Sequence, residues 1–161
     1  MDITKKQDME KRDEQAEGIS RKNMLWAAGV GVVPIPIVDI VGVTAVQVKL
    51  LSELSSLYEL AFRENMVKSI VASLLAGLGT YNLSVGTLGY LVQSIPVVGP
   101  LIGLATMPAV AAGLTFAVGK VFVQHFESGG TFLNFDAKAA RDQFKSRFEE
   151  GRRVAQNMGK S

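Results

Sequence analysis

The sequence predicts an all-α fold of membrane-embedded helical hairpins, with Pro-broken apolar helices and charged amphipathic terminal helices. The main observation is that residues 69–119 contain no Asp, Glu, Lys, Arg or His. As a single helix this segment would be about 77 Å long, more than twice the ~30 Å hydrocarbon core of a bilayer. It therefore has to fold back at least once, and a membrane hairpin explains its composition better than a soluble helix with one charged face.

The charged residues divide the chain into three parts. Residues 1–22 form a charged N-terminal tail, residues 23–130 form an apolar membrane domain, and residues 131–161 form an interfacial turn and a C-terminal amphipathic helix. The tail is rich in helix formers but has few apolar positions, so no face of it is expected to pack. We expect a frayed or partner-dependent helix there.

Apolar runs separated by helix-breaking residues predict five helices in the membrane domain. The second becomes amphipathic along its length, and a glycine-rich GLGTYN segment predicts a turn between the third and the fourth. The fifth is the longest and stops at Gly129, after which Asn134 or Asp136 caps the final amphipathic helix. The expected bounds are about 24–33, 37–62, 66–78, 83–94 and 101–126.

Prolines and glycines mark the bends between these helices. Proline has no amide hydrogen and pushes the preceding residue toward extended geometry, so the chain should bend at each break. Asp39 falls within the first turn after one break, where a carboxylate can accept free N–H groups. The alternative role for Asp39 is an ion or proton path, because a charge in lipid is costly. The residues expected to form the breaks and the cap are Pro34, Pro36, Asp39, Pro96, Gly99 and Pro100.

The two proline breaks are similar in sequence. Residues 35–38 read IPIV and residues 95–98 read IPVV, and each lies between a short apolar helix and a long one. A ten-residue apolar helix such as 24–33 spans only about 15 Å, so the first arm is too short to cross a bilayer unaided. Re-entrant hairpins and plain spanning helices therefore remain two alternatives.

Small residues recur at every fourth position along the last apolar helix. Such a ridge lets two helix backbones approach closely inside lipid, where packing replaces the hydrophobic driving force. The contact could be formed within the chain or between protomers. The residues of this ridge are Ala105, Ala109, Gly113 and Ala117.

Several functions lack the residues that they require. The chain has no cysteine, which excludes a disulfide scaffold, a thiol nucleophile and cysteine-based zinc sites. Its net charge is only +2 and its basic and acidic residues are interleaved, so nucleic acid is not an expected partner. His125 has no metal-ligating companions and is expected to interact with the helix C-terminus. No phosphate-binding loop or catalytic set is present, so we expect no cofactor, no metal and no enzymatic activity. The aromatic residues expected to form a belt at the membrane surface are Trp26, Tyr58, Tyr90, Phe122, Phe126, Phe132 and Phe135.

Three motifs carry a resemblance to a known family. They are a Pro-x-Pro…Asp turn leading into a Thr-x-x-Gln helix, a Pro-x-x-Gly-Pro break, and a Thr-x-x-x-Gly-Lys…His-Phe-Glu-Ser-Gly-Gly-Thr run. In residues 24–136 the sequence resembles the bacterial family called domain of unknown function 697. The resemblance implies a helical inner-membrane or membrane-associated protein of a kind often fused to Era-like small GTPases. It implies no catalytic residue, and this chain contains no GTPase domain.

These observations predict a non-enzymatic protein of the bacterial inner membrane, with charged tails in the cytoplasm. We expect it to bind the lipid bilayer, to form a homo-oligomer, and to dock a partner protein such as a separately encoded GTPase. Two alternatives remain open: an oligomeric pore or channel, and a soluble oligomer that hides an apolar hairpin.

Overall fold

The computed structural model describes the backbone of residues 2–30, 36–93 and 99–158, and the side chains of residues 2–28, 44–78 and 109–158. Within these residues all regular structure is helical and no strand occurs, so the all-α prediction is confirmed. The α-helices are α1 (Ile3–Val30), α2 (Pro36–Leu57), α3 (Glu64–Gln93), α4 (Gly99–Glu127) and α5 (Arg141–Met158), and a short 3-10 helix (Phe132–Asn134) precedes α5.

Helix α4 is the central element and contacts each of the other four α-helices. Helix α1 runs antiparallel to it, because Glu17 pairs with Lys120 while Ala27, further along α1, packs near Ala111. Helix α2 runs parallel to α4, as two side-chain hydrogen bonds at successive levels show: Gln47 to Thr115 and Tyr58 to Glu127.

Helices α2 and α4 end in the same type of backbone motif. After α4, the N–H of Gly130 donates to the carbonyl of His125, and Gly129 has a φ of 84°. This is a Schellman motif, which uses a left-handed residue to satisfy the last carbonyls of a helix. After α2 the left-handed residue is Glu59, with a φ of 56°. The prediction that α2 extends to residue 62 was therefore wrong, because sequence reasoning expects glycine at such a stop.

The N-terminal tail is part of a continuous helix. We predicted that no face of residues 1–22 could pack, and this was wrong, since Ala16 and Ser20 are buried, as are Asn23, Met24 and Ala27 further along α1. These residues form one stripe at helical spacing. The error arose because small and polar residues bury well only against a close partner helix, which the sequence does not identify.

Helix α3 is also longer than predicted. We expected a turn in residues 77–82 and two helices, whereas the backbone is helical from Glu64 to Gln93 without interruption. A glycine inside a helix costs only about 1 kcal/mol relative to alanine, and apolar surroundings tolerate it. The glycines therefore did not mark a turn.

An aromatic cluster lies where α2 and α4 end. Phe122 and Phe135 stack at 4.4 Å between ring centroids, and Phe126 meets Phe132 at 5.2 Å. Phe122, Phe126 and Phe132 are buried. The prediction that these rings form a membrane-surface belt was wrong, because the segment after α4 folds back and covers them.

Candidate functional site

Each of the helices α1, α2, α3 and α4 has a charged segment and an apolar segment. In the structure, the boundaries between the two segments lie at a similar height in the bundle. In each helix a lysine is the charged residue nearest to the apolar part, apart from Asp39 in α2. Two of these lysines reach the same carboxylate, and Lys49 and Lys68 line one cavity beside α2 and α3. Gly119, next to the fourth lysine, lies against Ser20 and Leu50 at the same height. We call this set the lysine level: Lys22, Lys49, Lys68 and Lys120.

Glu53 accepts hydrogen bonds from two of the four lysines of the lysine level. Its carboxylate accepts from Lys49 at 2.7 Å, from Lys22 at 3.0 Å and from the amide of Asn23 at 2.8 Å. Burial alone would raise the pKa of Glu53, but the hydrogen bonds from Lys49, Lys22 and Asn23 together hold that pKa below its ordinary value. This contact fixes α1 against α2 just below the apolar part.

A buried polar contact joins α2 to α4 slightly closer to the apolar part. The amide of Gln47 donates to the hydroxyl of Thr115 at 2.8 Å, and that hydroxyl donates to the carbonyl of Ala111. Both side chains are fully buried. The Oε1 atom of Gln47 has no hydrogen-bond partner among the described atoms. Both residues belong to motifs that carry the family resemblance, and the structure shows that these two motifs meet.

The His-Phe-Glu-Ser-Gly-Gly-Thr run forms the end of α4. The Nε2 atom of His125 lies 2.9 Å from the carbonyl of Thr131 and 3.1 Å from Oδ1 of Asn134. Asn134 also accepts from the backbone N–H of Thr131 at 2.7 Å, which completes the cap of the 3-10 helix. A Cβ atom at Gly130 would collide with the imidazole ring of His125. His125 is therefore held by groups that follow α4, and its contacts are structural.

Helix α4 packs through small residues on two sides. A Cβ atom at Gly151 of α5 would lie 2.9 Å from the carbonyl oxygen of Gly113 and 2.8 Å from Cβ of Phe116. On the other side, a Cβ atom at Gly119 would lie 2.7 Å from the hydroxyl of Ser20. Neighbouring backbones approach this closely only where glycine faces them.

The predicted ridge falls partly within these contacts. Gly113 faces α5, Ala117 is fully buried in the core, and Ala109 is half-buried. Gly113 and Ala117 thus pack within the chain, while the side chain of Ala105 lies outside the described residues. Gly151 and Ser20, which complete the contacts, were missed because each is a single small residue in a polar segment.

The predicted breaks coincide with helix starts where the backbone is described. Helix α2 begins at Pro36 and α4 begins at Gly99, followed by Pro100. A proline in the first turn of a helix loses no hydrogen bond, because those N–H groups have no partner within the helix. Pro34 and Pro96 lie outside the described residues. Asp39 lies in the first turn of α2, and its side chain is outside the described part.

Exposed apolar side chains occur on α1 and on α5. Leu25 and Trp26 are 58% and 60% exposed on α1, and Val154 and Met158 are partly exposed on α5. Val154 and Met158 also line a cavity of about 270 Å³ between α1, α4 and α5, with Arg21 and Lys120 among its charged residues.

Length and composition give one candidate span in the described chain. Among the described residues, Ala109–Glu127 is long and apolar enough to cross a membrane, and 61% of it is buried inside the protein. A buried core helix passes the same test. Within the described side chains, no three His, Asp or Glu residues lie together as metal ligands.

Comparisons with known proteins identify the family. Residues 2–153 match the family model described as Domain of unknown function (DUF697). A relative, Magnetosome membrane protein 22 of Magnetospirillum gryphiswaldense, is 36% identical over 144 residues, which cover 89% of this chain and 74% of the relative. No solved structure matches. The resemblance noted in the sequence is confirmed, and the chain belongs to the DUF697 family.

Proposed function

We propose that this protein is a non-enzymatic bacterial membrane module, which inserts its apolar helical part into the inner membrane and presents its charged part to a partner protein in the cytoplasm. The observation that carries the proposal is the lysine level, which separates a charged, packed part of the bundle from helix segments that are almost free of charge. The DUF697 relative from Magnetospirillum gryphiswaldense is called a membrane protein, which supports the same location.

The helix segments beyond the lysine level are long and almost free of charge. Four helices continue beyond the lysine level: α1 from residue 23 to 30, α2 from residue 48 back to 36, α3 from residue 69 to 93, and α4 from residue 119 back to 99. Asp39 is the one charged residue in these segments. A charge-free sequence of this length is expected to need lipid or a large oligomeric interior around it.

The charged part offers a projecting helix for partner docking. Every described residue from 2 to 15 is exposed, including Ile3 at 74% and Met9 at 52%. Contacts with the bundle begin at Arg12, whose guanidinium lies 5.7 Å from the ring centroid of Tyr58. Because an isolated helix of this length is only marginally stable in water, the projecting segment is well suited to bind another chain. A separately encoded GTPase or a second copy of this chain is the proposed partner.

Membrane insertion is tested by washing isolated membranes with alkaline carbonate. The protein should stay in the pellet, whereas full release into the supernatant would refute insertion and favour the soluble oligomer. Ion flux through liposomes containing the protein would favour the pore alternative.

Partner docking is tested by photo-crosslinking in cells. A photoreactive residue at Met9 should crosslink to a GTPase or to a second copy of the chain. The same residue at Leu133, which is 77% exposed in the 3-10 helix, is the matched control and should not form this crosslink. Equal crosslinking at both positions would contradict docking through α1.

A further inference from the structure

We propose that two helical hairpins, α1 with α2 and α3 with α4, enter the membrane from one face and end inside the hydrocarbon layer. The protein is then anchored in one lipid surface without crossing the bilayer. This inference rests on the proposed membrane insertion and specifies how the lipid is bound. Three features carry it: the connectivity of the helices, the position of α5, and the length of the helices beyond α5.

The connectivity places all charged connections at one end of the bundle. The connection after α2 and the connection after α4 meet there, since Phe62 and Phe132 lie 6.2 Å apart between ring centroids. The antiparallel pairing of α1 with α4 puts the N-terminus of the chain at this end as well. The ends of α1 and α3 and the starts of α2 and α4 consequently point the other way, toward the apolar end.

Helix α5 sets the depth at which lipid can begin. Arg152 packs against Gly113 of α4, and Arg141 packs against Gly77 of α3. The exposed face of α5 carries further charged residues, including Asp142 and Arg153. Charged side chains at the bilayer centre are costly, so this face has to remain in water or among headgroups. Hydrocarbon therefore begins beyond Gly77 and Gly113.

The helices that continue past this entry depth are short. From Leu78 to the end of α3 at Gln93 is about 22 Å, and from Gly113 back to the start of α4 at Gly99 is about 21 Å. On α2, the distance from Val46 to Pro36 is about 15 Å. Each falls short of the ~30 Å hydrocarbon core. If hydrocarbon began at Lys68 instead, the rest of α3 would be about 38 Å long and could span the bilayer. The position of α5 therefore decides between a re-entrant and a spanning hairpin.

The sequence at the apolar end agrees with this depth. Residues 31–35, between α1 and α2 in the sequence, and residues 94–98, between α3 and α4, contain no charged residue. A connection that emerged into water on the far side would gain from polar side chains. At the entry depth, by contrast, Trp26 is 60% exposed next to Leu25, and tryptophan is enriched at the membrane interface.

Tryptophan fluorescence provides the first test, because Trp26 is the single tryptophan of the chain. The protein is reconstituted in phosphatidylcholine vesicles that carry bromine either near the carbonyls or near the chain ends. Trp26 should be quenched several-fold more by the shallow bromines. A Trp26→Phe, Tyr90→Trp variant moves the probe about 18 Å beyond Leu78 and should be quenched more by the deep bromines. Shallow quenching at position 90 would place it near headgroups and not inside the hydrocarbon layer, which would overturn the proposal.

Cysteine labelling provides the second test, because the chain has no native cysteine. In sealed vesicles, Leu133→Cys should react with a membrane-impermeant maleimide from one side only. Gln93→Cys should react from neither side until detergent is added. Reaction of Gln93→Cys from the side opposite to Leu133→Cys would show a spanning hairpin. Failure of the proteins to float with the vesicles would instead refute membrane insertion itself, so the two failures are distinguishable.

Discussion

The contact between α4 and α5 predicts that Gly151→Ala destabilises the protein although alanine is the better helix former. In an unobstructed helix this change would stabilise by about 0.5–1 kcal/mol, because glycine loses more backbone entropy on folding. At position 151, however, the new Cβ would lie 2.9 Å from the carbonyl oxygen of Gly113 and 2.8 Å from Cβ of Phe116. Both atoms belong to the rigid part of α4, so α5 has to move away.

The magnitude follows from the two opposing terms. Overpacking of this kind costs about 1–3 kcal/mol, which exceeds the gain in helix propensity. We expect a net loss of about 1–2 kcal/mol in the free energy of unfolding. For a chain of this size such a loss lowers the thermal midpoint by roughly 3–7 °C.

The matched control is Gly18→Ala in α1. Gly18 is also inside a helix, but no atom of a neighbouring element lies within 4 Å of the place that its Cβ would take. This variant should raise the thermal midpoint by about 1–3 °C. Both variants are measured by circular dichroism in the same detergent. If Gly151→Ala were as stable as Gly18→Ala, the close approach of α4 and α5 would be refuted.

Three further predictions concern other contacts. Gly130→Ala should cost about 1–2 kcal/mol by displacing the ring of His125, and the cost should largely vanish in a His125→Ala background, which a double-mutant cycle measures. Glu53→Gln should reduce stability by about 1 kcal/mol at pH 7. Since the folded pKa of Glu53 is lowered, its contribution is present above the ordinary value of 4.5 and is lost as the pH falls through the folded pKa; the variant should lack this acid limb in a stability–pH curve. Asp39→Asn should change stability by less than about 1 kcal/mol, because an amide still accepts N–H groups at a helix start; abolition of an ion flux in liposomes would instead support the pore.

The arrangement of charge along the chain was sufficient to predict several features. The charge-free residues 69–119 indicated apolar helices that turn back, and helix periodicity with the absence of strand patterns indicated the all-α class. The glycine pair after α4 correctly indicated its end, because a left-handed residue is required there and glycine adopts that conformation without strain. The motifs also sufficed to recognise the family. Local chemistry determines each of these features, so they can be derived from a single sequence.

The parts of the site that depend on contacts between distant residues were decided only by the tertiary structure. Gln47 and Thr115 are separated by 68 positions, and nothing in either segment indicates that they share a hydrogen bond. Gly151 lies in a polar segment, and the absence of a side chain there matters only because Gly113 of α4 faces it. In the proposed membrane insertion, the depth at which lipid begins likewise depends on the packing of α5 along α4. Periodicity shows which residues share a face of one helix, but the helix that covers that face is selected by the combined packing of the whole chain.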